Sequence, residues 1–558
     1  MEHVILPLFV FFPLDGAKYD FIVVGAGSAG CVIANRLSEI DRVNVLLIEA
    51  GGDPPVESVI PGLAFFLKNS SSDWNYTSES DERTMKHLKN QKIDLTRGKM
   101  LGGSSSINFM AYTRGNPHDF DQWAKLINDS SWAWKEVLPY FKKSERLEDP
   151  LILNSPSRVF HGTKGYMGVS IFRNKETINY FKSFAEVGNN IKQDTNTDQP
   201  LGYNEAMFTI ADGKRQSSAY SFLSSAKHRP NLHVLKDTLV TKILFDDNKN
   251  AVGVEALLSN NRSICLFAEK EVIVSAGVFD SAKLLMLSGI GPGDFLASKG
   301  INVLSDLPVG QNMQDHVGVV VMHKMGKAKP TVLKSPLEFP SPLIVGHAAL
   351  NKSQNFPDYE TLNLIFNNHD DSLLNFCSFF FAYEDKICQE FYEQSAGRQI
   401  FFTILTVLYG KSRGQVLLRS TNPRDPPLIY PGYYLKNIDL KNHARFLKDF
   451  ARVTNTSYFR CVDAEIIIPK TCKCGVIPRG IKFWRCYALC MVISGYHYSS
   501  TCSMGSVVDS RLRVLGVRRL RVADASIMPI ITGANTCAPT VMIGEKVSDM
   551  IKYDHYLI

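Results

Sequence analysis

The chain has 558 residues, long enough for more than one core, and its 45% hydrophobic and 21% charged residues exclude a disordered or fibrous protein. A formal charge of +7 is small for this length, and no run of Lys and Arg interleaved with aromatics offers a phosphate-tracking groove, which sets nucleic acid aside as a partner. No apolar run reaches the roughly 20 residues of a membrane span.

The chain opens on a short apolar stretch, VILPLFVFFPL (residues 4–14), with the length of a secretory h-region but no positively charged segment before it. Ala17 is a candidate end of a cleaved peptide. The expectation is a secreted protein, with a cytoplasmic one as the alternative.

Residues 19–24 (YDFIVV) are aromatic and β-branched, as suits a buried parallel strand. GAGSAG follows at once: Gly25 permits the tight turn, Gly27 lets the backbone approach a pyrophosphate, and Gly30 lets the next helix lie close to the strand. That helix, predicted over residues 31–39, points its N-terminal amides at the phosphates. A second strand, 43–48, ends at Glu49, placed to accept the ribose hydroxyls of an adenosine. Together these elements predict a bound dinucleotide without separating NAD from FAD.

The next block, RGKMLGGSSSINFMAYTRG (97–115), supplies bare backbone amides and small hydroxyls able to follow an extended ligand. A strand-like EVIVSAG leads into SAGVFDSAKLLMLSGIGP (275–292), with Leu284, Leu285 and Leu287 on a helix that Gly289 to Pro292 stops. LPVGQNMQDHVG (307–318) and RVADASIMPIITGANTCAPTVMIGEKVSDMI (521–551) complete the set. Six of the eleven cysteines, Cys461, Cys472, Cys474, Cys486, Cys490 and Cys502, fall in one stretch without zinc-ribbon spacing, so no metal site is expected. A disulfide from Cys472 or Cys474 to Cys486 and buried free thiols both stay open. Asn69, Asn75, Asn128, Asn261, Asn351 and Asn455 each begin an N-x-S/T sequon.

In their order, these segments resemble the signature segments of the glucose-methanol-choline (GMC) oxidoreductase family, and SRGQVLLRSTNPRDPP (412–427) is similar to its insect glucose dehydrogenase-like branch. The resemblance covers residues 19–551 apart from about 326–410. It implies FAD, bound non-covalently because Ile107 stands where tethering members carry a histidine. It also implies that Gly25, Gly27, Gly30 and Glu49 hold the ADP half, that Met100, Gly103, Ser104 and Asn108 line the flavin, and that Val240 touches the adenine side. Asp524 and Ala525 would lie at the ribityl and pyrophosphate region.

Oxidising an alcohol requires a base for the hydroxyl proton and an acceptor for the hydride. Of thirteen histidines, His497 lies in YHYSSTCSMG (496–505), the segment resembling the family's catalytic motif, and is the expected general base. Asn535, in GANTCAP, is its expected partner on the substrate oxygen. His316 reads as a hydrogen-bonded core histidine. The family usually follows its histidine with Pro and then, two residues later, Gly; here Tyr498 and Ser500 stand there, side chains large enough to narrow the pocket or displace the imidazole.

The expected fold is α/β: a discontinuous Rossmann-like FAD-binding domain plus a mixed-sheet substrate-binding domain flanked by helices. Residues 18–317 form the N-terminal family segment with a substrate-domain insertion at about 174–229; 318–494 are mainly substrate domain, with the C-terminal family segment starting at about 411; 495–558 return to the FAD domain. The implied enzyme is an FAD-dependent dehydrogenase of an alcohol or sugar, moving hydride to flavin N5 and passing electrons to a quinone, oxygen or another acceptor. A FAD-containing lyase and a catalytically impaired flavin binder are the rival readings.

Overall fold

The computed structural model describes residues 14–557 except 65, 82, 329–334, 367–371, 476 and 479, so the N-terminal apolar stretch, Leu14 apart, lies outside the described residues. The strands assemble two seven-stranded sheets. In the first, Lys18–Val24 runs parallel to Val45–Ile48 on one side and to Ser263–Val274 on the other. Leu232–Leu235 and Leu520–Val522 extend this parallel part, while Ala251–Leu257 and Leu239–Phe245 add an antiparallel flank. Its central strands carry apolar side chains on both faces because both faces are covered: Val45 to Ile48 are all buried.

Helix Gly30–Leu37 leaves the first strand through the glycine turn, two residues short of the expected C-terminus. It packs against the C-terminal helix Cys537–Asp554 at Gly544, where a Cβ would stand 3.0 Å from the Ala29 carbonyl oxygen. Arg36 locks the pair with two hydrogen bonds of 2.8 Å to the buried Glu545 carboxylate. The end of the chain is thereby fastened to its beginning.

The second sheet runs Glu465–Ile466, Val317–Lys327, Arg398–Val407, Tyr359–Phe366, Leu343–Ala348, Gly202–Glu205, with Val492–Ser494 also paired to Val317–Lys327. Every pairing in it is antiparallel, and it is the first sheet that mixes directions. Each sheet nucleates its own apolar core. Disulfides Cys472–Cys490 and Cys474–Cys486 staple helix Gly480–Cys490 to the loop before it, and Cys377–Cys388 closes a third loop. Of the six clustered cysteines, Cys461 and Cys502 are free thiols, exposed and buried respectively.

Candidate active site

A cavity runs between the sheets, lined by Glu49 and Val240 from the first sheet, by His497 just after strand Val492–Ser494 of the second, and by Asn535. Helices Gly30–Leu37, Gly277–Leu287 and Cys537–Asp554 all begin at it, three positive dipole ends facing one space. The glycines fit a bound dinucleotide. At Gly25 (φ +98°) a Cβ would lie 2.5 Å from the Ser275 carbonyl oxygen, and at Gly30 it would lie 1.9 Å from that of Gly25. A Cβ on Gly27 meets only the Ser275 oxygen at 3.9 Å, so the backbone there is bare toward the cavity. The Glu49 carboxylate accepts hydrogen bonds of 2.9 Å from the amides of Ala26 and Gly51, and burial pushes its pKa up to about 7 against their pull.

Gly103, Ser104, Asn108, Asp524 and Ala525 also line the cavity. The Asp524 carboxylate is held by Gly277 N–H at 2.9 Å, the Ser281 hydroxyl at 2.6 Å and Ser526 N–H at 2.7 Å. It orders the start of helix Gly277–Leu287. Met100 is placed differently from the expectation: its side chain packs with Leu67 and Ile107, and the residue supports the loop through its carbonyl, which accepts from Gly103 N–H at 2.8 Å. A Met side chain is drawn into that small apolar cluster rather than left on the polar ligand face.

The His497 segment is a turn under tension. Tyr496 takes φ +61°, held by Arg97 donating to its carbonyl at 3.0 Å and by its own N–H donating to Ser494 Oγ at 2.8 Å. Asp315 accepts from His497 N–H at 2.8 Å and from Ser494 Oγ at 2.6 Å, and Tyr433 also donates to it. Arg97, Asp315, Ser494 and Tyr433 were not singled out from sequence, although Arg97 and Asp315 stand inside quoted motifs and Asp315 is the residue before His316.

A hydrogen-bond chain sets the protonation of the imidazole. Asn535 N–H donates to Thr113 Oγ1 at 3.1 Å, and the hydroxyl donates back to Asn535 Oδ1 at 2.9 Å, so the amide nitrogen is the atom facing His497 Nε2 at 2.8 Å. An amide nitrogen only donates, hence Nε2 carries the lone pair and the proton of neutral His497 sits on Nδ1. That proton meets His316 Nδ1 at 2.9 Å. His316 is the buried, hydrogen-bonded histidine expected, and it is also bonded directly to His497. Burial, the His316 ring and the Arg97 charge hold His497 well below the ordinary imidazole pKa, and burial brings His316 down to about 4. Both rings are neutral near pH 7. Tyr498 is built into the wall, its ring 4.9 Å under the Arg97 guanidinium and its hydroxyl 2.8 Å from Ser494 Oγ, to which it donates because the Ser494 proton goes to Asp315, and the imidazole keeps its contact with Asn535.

Facing these groups, the second sheet presents Leu343, Leu362, Leu364, Ile404 and Thr406, which register and alternation put on one face, joined by Phe109 from a loop and Phe380 from the end of helix Asn375–Phe380.

Two models of the family described as GMC oxidoreductase match the chain over residues 19–318 and 410–544. It is 38% identical over 563 residues to ecdysone oxidase of Bombyx mori, covering 98% of this chain and 83% of that protein. It is 34% identical over 561 residues to glucose dehydrogenase [FAD, quinone] of Drosophila melanogaster, covering 96% and 87%. Pyridoxine 4-oxidase from Mesorbium loti superposes with a TM-score of 0.82 at 26% identity, over 96% of this chain and 99% of that one. With a glycine cradle, three converging helix ends and a hydrogen-bonded histidine at one cavity, the chain belongs to the GMC oxidoreductase family, near its insect members, and is an FAD-dependent oxidoreductase.

Proposed function

We propose that this enzyme oxidises the CH–OH carbon of an alcohol with a large apolar body, with His497 as general base and Asn535 as hydrogen-bond donor to the substrate oxygen. Bound FAD supplies the hydride acceptor. The observation that carries this reading is the lone pair of His497 Nε2, which stands at the cavity 2.8 Å from the Asn535 amide. An alcohol oxygen entering there exchanges that contact for two: its O–H donates to Nε2 and its lone pair accepts from the amide. An amide is no base at neutral pH, so the proton falls to His497, neutral and ready because burial lowers its pKa. Gly25, Gly27, Gly30 and Glu49 would hold the ADP half, Val240 the adenine side, Gly103, Ser104 and Asn108 would line the flavin, and Asp524 and Ala525 would lie at the ribityl and pyrophosphate region.

The leucines, isoleucine and phenylalanines opposite His497 favour an apolar alcohol over a sugar, whose many hydroxyls would lose water there without gaining partners. Among the relatives, the ecdysone oxidases point the same way and the glucose dehydrogenases the other. Three disulfides and six exposed sequon asparagines support a secretory route. The test is anaerobic titration of the holoenzyme with a panel of apolar alcohols and sugars. Apolar alcohols are expected to bleach the flavin absorbance; flavin that stays oxidised with every alcohol, or is bleached by sugars alone, contradicts the reading. Oxygen uptake during turnover then distinguishes oxygen from a quinone as the acceptor.

A further inference from the structure

Behind the two histidines lies a group of buried polar side chains that the chemistry above does not use. Glu360, in strand Tyr359–Phe366, has no solvent exposure, and neither of its carboxylate oxygens accepts an aligned hydrogen bond among the described residues. Across one strand pair it stands opposite His347, whose Nε2 is 3.3 Å from Oε1 and whose Nδ1 is likewise unbonded. Across the other it stands opposite Thr406, another buried hydroxyl without an aligned partner, and Thr406 is paired in turn with Gly318. These four positions share the sheet face that carries Leu362 and Ile404 toward the cavity, and they end beside His316.

His316 has the complementary feature. Its Nδ1 faces His497, whereas its Nε2 is buried and makes no aligned hydrogen bond among the described residues. The groups acting on that ring are the Glu360 carboxylate and the carbonyls of Thr532 and Leu408, all of which favour positive charge on it. A fully buried carboxylate without firm hydrogen bonds from the protein is unfavourable for the fold, and such groups persist where charge has to be handled.

We infer that Glu360 balances, through His316, the positive charge that His497 acquires when it takes the alcohol proton. This rests on His497 being the base. In the step, the substrate O–H bond breaks and an Nε2–H bond forms on His497, while the Nδ1 proton between the rings shifts toward His316 Nδ1. The pair gains one positive charge, the substrate oxygen one negative charge, and the Glu360 carboxylate faces the cation from behind. The electron pair on the substrate oxygen then forms the C=O bond as the C–H bond breaks and its hydrogen departs as hydride, for which bound FAD would be the acceptor. Glu360 is therefore a positioning residue for charge. The other groups facing this system are Arg97, which opposes protonation of His497, Asp315, which holds its backbone N–H, His347 beside Glu360, and Asp119, which interacts with His347.

The experiment compares Glu360→Gln and Glu360→Asp with the parent holoenzyme, following anaerobic flavin reduction by a saturating apolar alcohol against pH. A neutral base gives full rate above its pKa and loses it as pH falls. Without the carboxylate the protonated pair is less stable, so in Glu360→Gln the acid limb moves to lower pH, the plateau rate falls roughly tenfold or more, and KM is unchanged; Glu360→Asp lies between. Nitrogen-15 NMR of histidine-labelled protein, a readout independent of turnover, shows the His497 and His316 ring nitrogens titrating at lower pH in Glu360→Gln. A wild-type limb, plateau and histidine titration in that variant overturn the inference, as does a raised KM at an unchanged plateau. His497→Gln protein that still reduces its flavin at the parent rate removes instead the reading of His497 as base, so the two failures are told apart.

Discussion

At the scale of single residues, the site is defined by which atom carries a proton. Thr113 orients the Asn535 amide, the amide leaves the lone pair on His497 Nε2, and His316 receives the proton at the other end of the ring. Motif resemblance pointed to His497 and Asn535, but the bond of His497 to His316 joins residues far apart in the chain, and no periodicity or spacing announces such a contact. Ser500 is the converse case. The family's usual glycine there is replaced by Ser, a departure visible in sequence, and the structure shows its consequence: Ser500 keeps φ +76°, a left-handed conformation that costs a side-chain-bearing residue about 1–2 kcal/mol. Ser500→Gly relieves that strain, less the extra chain entropy of glycine and the 3.0 Å contact with Ser499 Oγ. The expected result is a net stabilisation of about 0.5–1 kcal/mol in denaturant unfolding of the holoenzyme, with the flavin spectrum unchanged; equal or lower stability contradicts it.

At the scale of elements, the nucleotide half was readable because its signals are local. An apolar run, a glycine turn and a second apolar run form strand, helix and strand within about thirty residues, as in the first βαβ unit generally. The tightest point is Gly30. Because a Cβ there would fall 1.9 Å from the Gly25 oxygen, Gly30→Ala must push the helix from the turn. Overpacking of this kind costs about 1–3 kcal/mol, and since the helix begins at the cavity, it should appear as FAD retention weakened roughly tenfold or more while far-ultraviolet circular dichroism stays native. Absorbance titration of apoprotein with FAD measures this; wild-type affinity in the variant removes the cradle from the account. The second sheet was hard to read for the opposite reason. Leu343–Ala348 is buried at all six positions and Arg398–Val407 at nearly every one, so no alternation of polar and apolar residues marks them as strands.

At the scale of the whole molecule, neither sheet makes the site alone. The glycine cradle comes from the start of the chain, the hydrogen-bonded trio from His316, His497 and Asn535, and the apolar wall from strands between Leu343 and Val407. The Arg36–Glu545 bond and the helix contact at Gly544 bring the C-terminal helix back to the first turn, so that Asn535 and the Gly27 backbone line one cavity. Family signatures made this assembly legible in outline. The wall was not legible, since its composition follows from which strands pair in which register, a tertiary fact with no local mark.

The most direct test of the central claim is single-turnover flavin reduction in His497→Gln holoenzyme. The account predicts a yellow protein with the parent's flavin content and spectrum whose reduction by alcohol is slowed by about 10²–10⁴-fold, because the cradle is intact and the base is gone. Reduction within a few-fold of the parent rate would contradict it.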